Sequence, residues 1–340
     1  MSRGAAPAAL LGVCALAAAG PAAAGEPAKP APARRGPLEM RDEWLLAQSR
    51  LTLPALAPDP LGAGKTRVSV DLAWGSDFGW RRGTPRDTTA YLVDGEHRTL
   101  SLDVRRGLTP AFTVGLRLPV RWRGGGIMDG IVDWFHGLTG LPGGGRPLFP
   151  ADQLRVEWTD PVRGYVRWDA DPGTGLGNAE VLGHWAFRRA EVRAWTAALA
   201  VRATLPTATG AFAPGGAEAG AQLVSAWPLH RRVDLYAGAG GTAHSRRVAD
   251  GIEYAPARGH GFVALEWRPH ARWSLVAEVD ASTRLVENLP GYPGGQGYFR
   301  MGASVDVSER WRLHGGFVEG IKNQHATTDF GIVAGVSRTF

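Results

Sequence analysis

Cysteine is almost missing from this chain: Cys14 is the only one in 340 residues. Downstream of it there is no thiol for a nucleophile, a disulfide framework or a Cys-ligated metal. Lysine is nearly as scarce, with Lys29, Lys65 and Lys322 among 38 basic residues. The formal charge of +6 is therefore carried by arginines, which are scattered and never clustered on one helix. That distribution does not make a nucleic-acid face, so no nucleic-acid partner is expected. Long apolar runs are also lacking. After residue 25 no stretch stays apolar for 18 residues, which excludes a membrane-spanning helix there. What the chain does have is 47 glycines and 13 tryptophans, without a collagen-like period.

The first 24 residues read as an export signal. Arg3 supplies the positive start, Ala5 to Ala19 a short apolar run, and Ala22, Ala23 and Ala24 the small residues before a cut. Cys14 follows Val13 inside the apolar run, away from the cleavage point that a lipoprotein needs. Residues 25–37 are a Pro/Ala linker, and residues 38–64 are Leu-rich and punctuated by proline. Residues 25–64 are thus expected as an N-terminal linker or periplasmic segment. GAGKT (Gly62–Thr66) has Asp59 where a phosphate-binding loop needs its first glycine, and no helix is expected after it.

From Thr66 the pattern changes to period two. Val68, Val70, Leu72 and Trp74 share one face, opposite Arg67, Ser69 and Asp71. Phe112 to Trp122 alternates in the same way over eleven residues, a length that crosses a bilayer at a barrel tilt. Similar segments occupy 98–105, 153–159, 163–169, 178–188, 194–205, 219–229, 232–244, 258–268, 272–282, 298–308, 311–319 and 328–340. That makes fourteen strands, or twelve if the weak pair within 153–169 belongs to a loop. Short and long connections alternate strictly, as in outer-membrane barrels with short periplasmic turns and long external loops. Tryptophans fall at strand ends: Trp74, Trp122 and Trp168 at the outer rim, and Trp158, Trp195, Trp227, Trp267, Trp273 and Trp311 at the inner one. The expected fold class is all-β: an antiparallel transmembrane β-barrel of 14 (or 12) strands over 65–340, with one short helical insertion.

The C-terminus ends in Phe340, with Val336, Ala334, Ile332 and Phe330 alternating behind it. This resembles the terminal-aromatic insertion signal of bacterial outer-membrane barrels, apart from Arg338 two residues before the end. Three further motifs carry a family likeness: GPLEMRDEW (Gly36–Trp44), the long GGGIMDGIVDWFHGLTGLPGGGRPLFPADQ (Gly124–Gln153), and GLGNAEV (Gly175–Val181) followed by LPTATG (Leu205–Gly210). Together they resemble the uncharacterised bacterial outer-membrane β-barrel family called domain of unknown function 3187 (DUF3187). The GLG and LPTG pieces are shared more loosely with transport barrels of aromatic-degradation operons, where an Asp commonly stands in place of Asn178. The resemblance implies a fold and a location in the bacterial cell outer membrane, with no established activity.

Asp129, Asp133 and His136 are spaced to share one face of a helix over 127–138, opposite Ile127, Ile131, Trp134, Phe135 and Leu138. Three arrangements fit them: a solvated polar face, a network with Arg146 or a lumen arginine, or a divalent ion. The helix is expected to enter or cap the barrel mouth. Arg117 and Arg121 are candidate lumen residues. Other inward positions mix signs, which favours internal salt bridges and a filled or narrow lumen. No His-Ser-Asn arrangement of a lipid hydrolase is found, so no catalytic residue, cofactor or metal is expected. The expected role is passive transport or binding of a small molecule, apolar cargo included. A closed structural or surface-interaction barrel is the alternative, and a lipid-modifying enzyme the next. Expected partners are outer-membrane lipid and lipopolysaccharide, and the barrel-assembly machinery during insertion; the protein is expected to be a monomer. Deleting Phe340 should leave the chain periplasmic and protease-sensitive. Normal levels of assembled, heat-modifiable truncated protein would contradict the insertion role of that residue.

Overall fold

Strands whose backbones must lie in lipid can satisfy every amide only by closing on themselves. Twelve strands do so in the computed structural model. The structure describes residues 33–82, 90–140, 143–160, 164–168, 173–188, 195–249, 252–288, 294–322 and 327–340, and the export signal lies outside them. The strands are β1 (Thr66–Arg81), β2 (Ala90–Gly107), β3 (Phe112–Gly124), β4 (Ala179–Arg188), β5 (Thr196–Leu205) and β6 (Glu218–His230). They continue with β7 (Val233–His244), β8 (Ala257–His270), β9 (Trp273–Ser282), β10 (Gln296–Asp306), β11 (Trp311–Lys322) and β12 (Phe330–Thr339). Each pairs antiparallel with its neighbour in sequence, and β12 closes on β1 from Arg67 opposite Thr339 to Ser76 opposite Phe330.

The period-two pattern has the consequence it should. Val70, Leu72, Leu102, Leu116, Leu118 and Val120 are exposed on the outer surface, where lipid would cover them. Alternate residues point inward and are largely polar. Tryptophans 185, 195, 227, 267, 273 and 311 are exposed at the short-turn end. At the long-loop end Trp74 and Trp122 hold the Arg98 guanidinium between them, each ring centroid 4.3 Å from its carbon.

The ring has twelve strands because β3 pairs directly with β4, from Phe112 opposite Trp185 to Arg117 opposite Glu180. The segments Arg155–Asp160 and Gly164–Trp168 form a hairpin outside the ring, joined to the upper part of β2 through Ala90–Asp94. Trp158 is therefore buried at the loop end, and the inner-rim position expected for it is corrected. The Trp168 side chain lies outside the described residues. The hairpin exists because β1 and β2, at 16 and 18 residues, run well past the apolar belt. Their extensions, Gly75–Arg81 and Ala90–His97, fall in what the sequence presents as a loop. They lack apolar alternation because the rest of the chain covers them: Gly75–Gly79 and Tyr91–His97 are buried.

Face assignment gives a direct test. Leu116→Arg should cost about 2–4 kcal/mol of unfolding free energy near the bilayer midplane. Arg117 points inward and donates to Ser101 Oγ at 2.7 Å, so Arg117→Gln should cost much less. Equal costs in urea titrations from lipid vesicles would overturn the assignment.

Candidate functional site: the occupied lumen

Residues 33–64, read from sequence as part of a linker or periplasmic segment, lie inside the barrel. The placement has an electrostatic cause. Inward strand positions leave charges that need partners, and this segment supplies them. It rises from the short-turn end, turns near the loop end and descends to β1. Arg34 pairs with Asp234 at 2.8 Å and Arg35 with Asp306 at 2.5 Å, both near short turns. Higher up, Glu39 meets Arg105 at 2.6 Å, Arg41 meets Glu180 at 2.5 Å and Asp42 meets Arg258 at 2.7 Å. Asp42 also accepts from the Tyr298 hydroxyl at 2.7 Å, and Thr99 donates to Glu43 at 2.7 Å. On the descending side Arg50 pairs with Glu218 at 3.0 Å, and Gln222 donates to the Pro54 carbonyl at 3.1 Å.

Local chemistry explains the turn. Ala47 and Gln48 donate to the Trp44 carbonyl at 2.7 and 2.8 Å, one helical turn at the top of the loop. Trp44, Leu45, Leu46 and Ala47 then pack under the loop-end cover with Tyr91, Val93, Val156, Trp158, Ile252 and Tyr254. On the way down Ala55 and Leu56 join a second apolar cluster of wall residues, including Leu182, Tyr236 and Phe262. The rising limb has a different seat. Leu38 and Met40 press against the wall at Gly302 and Gly316, which face each other across β10 and β11. A Cβ at either glycine would strike the side chain lying on it.

Two cavities flank the rising limb, of about 180 and about 110 Å³. Both are lined by Arg35, Pro37, Glu39, Arg67, Arg105 and Arg312; the larger also reaches Asp59 and His184, the smaller Asp71, Asp103, Arg117 and His314. Neither approaches the ~300 Å³ at which an ordinary small-molecule pocket begins. Each is roomy enough for water. Arg67, Arg117 and Arg121 face the lumen with no carboxylate ion-pair partner among the described residues, so this side of the lumen is locally positive.

The other sequence candidates lie elsewhere. The helix α1 (Met128–Thr139) forms where expected, ended by Gly140 in the left-handed conformation. Its position corrects the expectation of a lumen plug or cap. It lies against the outer wall at the loop end, where Met128 and Val132 are buried with Trp74, Phe317 and Phe330. Two causes act together. The lumen is already filled by residues 33–64. Lipid would also meet the outward stripe of Ile127, Ile131, Trp134 and Leu138, all exposed. The face carrying Asp129 and His136, together with Met128 and Val132, is therefore the buried one. Asp129 is paired with Arg146, which also holds Asp329 at 2.9 Å; His136 is buried, and Asp133 is exposed. The Glu96 carboxylate accepts from the Met128 amide and from Trp74 Nε1, pinning the helix start to the wall. Arg117 lines the smaller cavity, and Arg121 is buried beside the segment. Phe340 is exposed beyond β12; its amide donates to the Thr66 carbonyl at 2.8 Å.

Sequence reasoning missed Glu39, Arg41, Asp42, Glu43 and Arg50. One signal for them was available: an apolar segment carrying R-D-E at 41–43, ahead of a barrel whose inward charges lacked partners. Glu39 gives a pH handle. Burial raises its pKa, but Arg105, aided by Arg202 and Arg67, holds the carboxyl down at about 2 against an ordinary 4.5. A folded-state value below the unfolded one adds stability that is complete above about pH 4.5 and lost as pH falls toward 2. Amide exchange of residues 34–43, corrected for intrinsic rates, should be flat from pH 7 to about 5 and rise below about 4.5. In Glu39→Gln the protection should be lower at neutral pH and the rise smaller. An unchanged profile in that variant would remove Glu39 from the latch.

The chain has no match among curated proteins. The outer-membrane channel of the COG4313 group from Pseudomonas putida F1 aligns with a TM-score of 0.54 at 12% identity, over 83% of this chain and 97% of that one. The NanC porin aligns with a TM-score of 0.45 at 7% identity, over 80% and 98%. A FadL homologue of Pseudomonas aeruginosa aligns with a TM-score of 0.36 at 11% identity, over 81% and 90%. At such identities the likeness of the first is one of fold. The family described as protein of unknown function (DUF3187) matches residues 23–340. The chain belongs to that family.

Proposed function

We propose that this protein is an outer-membrane barrel that passes a small polar solute passively, with residues 34–43 as its displaceable part. The observation that carries this reading is the asymmetry of the segment's seating. Its tip and descending limb sit in apolar clusters. Its rising limb is held largely by ion pairs and hydrogen bonds, and the two cavities lie beside it. In a wetted lumen water can replace such contacts one by one, whereas apolar packing has no equivalent substitute. The lining is charged, so it suits a polar solute rather than apolar cargo, and the unpaired arginines favour an anion. The Pseudomonas putida protein with this fold is an outer-membrane channel, which agrees with the reading. Export by the leader, insertion through Phe340 as a monomer among lipopolysaccharide, and the absence of catalysis belong to the same proposal.

The closed structural barrel is the second reading, favoured by the buried tip at Trp44–Ala47. Conductance separates the two. Purified protein in planar bilayers should show rare, brief openings. Arg41→Gln, which removes the pair with Glu180, should lengthen them and make them more frequent. Reversal potentials in a salt gradient should report anion preference. Silence of both proteins at every holding potential, with folding verified by heat-modifiability, would favour the closed barrel.

A further inference from the structure

The buried face of α1 gathers three carboxyl groups against one guanidinium. Asp129, Asp329 and Glu319 meet there between the helix and the outer wall, 7, 8 and 5% exposed. Among the described residues one guanidinium, that of Arg146, serves them, and its two ion pairs go to Asp129 and Asp329. Glu319 receives no hydrogen bond at either carboxylate oxygen. His136, 4% exposed, has no hydrogen-bond partner at either ring nitrogen. Buried polar groups of this kind are paired with protein, water or an ion in nearly every native structure. A buried carboxyl group with no hydrogen bond, beside an imidazole with none at either nitrogen, calls for a divalent cation.

The geometry agrees. His136 Nε2 stands 3.5 Å from Glu319 Oε1 and 3.9 Å from Asp329 Oδ1. One ligand atom from each residue falls within 4.8 Å of the other two. Zinc bound at about 2.1 Å in a tetrahedron has ligand-to-ligand edges of about 3.4 Å, so closing the site shortens the two histidine edges by about 0.1 and 0.5 Å and the carboxylate edge by at most about 1.4 Å. One imidazole and two carboxylates suit zinc better than calcium or magnesium, which take oxygen ligands. We infer that His136, Glu319 and Asp329 bind one zinc ion that fastens α1 to the outer wall of the barrel. Arg146 is then the supporting group, holding the second oxygen of Asp329 at 2.9 Å and so orienting the carboxylate toward the metal. A fourth position is left for water. The site joins the helix (His136), β11 (Glu319) and the residue just before β12 (Asp329). It is independent of the transport reading, since none of the three residues lines either lumen cavity.

The test uses the full chain, folded in detergent, stripped with a chelator and titrated with zinc chloride. One zinc per chain is expected, with at least a ~100-fold loss of affinity in His136→Ala and in Glu319→Gln. Both variants should keep the heat-modifiable mobility of a closed barrel, because neither side chain serves the strand ladder. A second readout follows the helix itself. A thiol reagent should label Ile131→Cys at the same rate with or without zinc, since that side chain already points outward. Val132→Cys, buried under the helix, should label at least several-fold faster after chelation. Substoichiometric zinc, zinc retained in both variants, equal filling by calcium, or no change in labelling at residue 132 would each overturn the inference.

Discussion

The register that joins the first strand to the last governs everything else in this molecule. A bilayer gives no partner to a backbone amide, so an open sheet of this size could not persist in it. Closure from Arg67–Thr339 to Ser76–Phe330 removes both edges. It also sets which residues face which solvent. Once Val70 and Leu72 face outward, Ser69 and Asp71 must face inward, and the same parity runs through every strand.

That parity creates the interior problem that the N-terminal segment solves. The wall presents Glu180, Glu218, Asp234, Arg105, Arg258 and Asp306 to a narrow space. Left alone, such charges would need a wide aqueous channel. Residues 33–64 instead bring a counter-charge to each. The pairing is not uniform, because a cavity lies along the limb beside β1, β2 and β12, whereas the other limb is packed on Tyr236 and Phe262. On the outside the charge relation is reversed: α1 hides Asp129 and His136 and shows Trp134 and Leu138, because its surroundings are apolar.

The strands could be read from sequence because period two is a local signal. Phe112 to Trp122 shows its faces without reference to any other part of the chain. Lengths failed where a strand ran past the apolar belt: Gly75–Gly79 and Tyr91–His97 are covered on both sides, which removes the alternation that would mark them. The weak pair within 153–169 is β-structure, yet its partner is the extension of β2, so its pattern could not place it in the ring or outside. The helix was legible for the same local reason as the strands. Its side of the wall was not, since amphipathicity gives two faces without saying which solvent meets each. The lumen segment was the least legible part. Arg41 finds Glu180 across 139 positions, and Asp42 finds Tyr298 across 256. No window of sequence contains both partners.

The same separations dictate an order of events during assembly. Contacts between distant residues form late, because the chain between them must first be organised. Arg35 reaches Asp306 across 271 positions, and Asp42 needs Arg258 on β8 together with Tyr298 on β10. These partners stand at fixed spacing only after the later hairpins have joined the sheet. The segment 33–64 therefore docks near the end, once the wall strands that hold its partners are in place. Its Pro- and Ala-rich lead and sparse apolar content before Leu38 suit that late docking, since a segment rich in β-formers would compete for the open strand edges before the ring could shut.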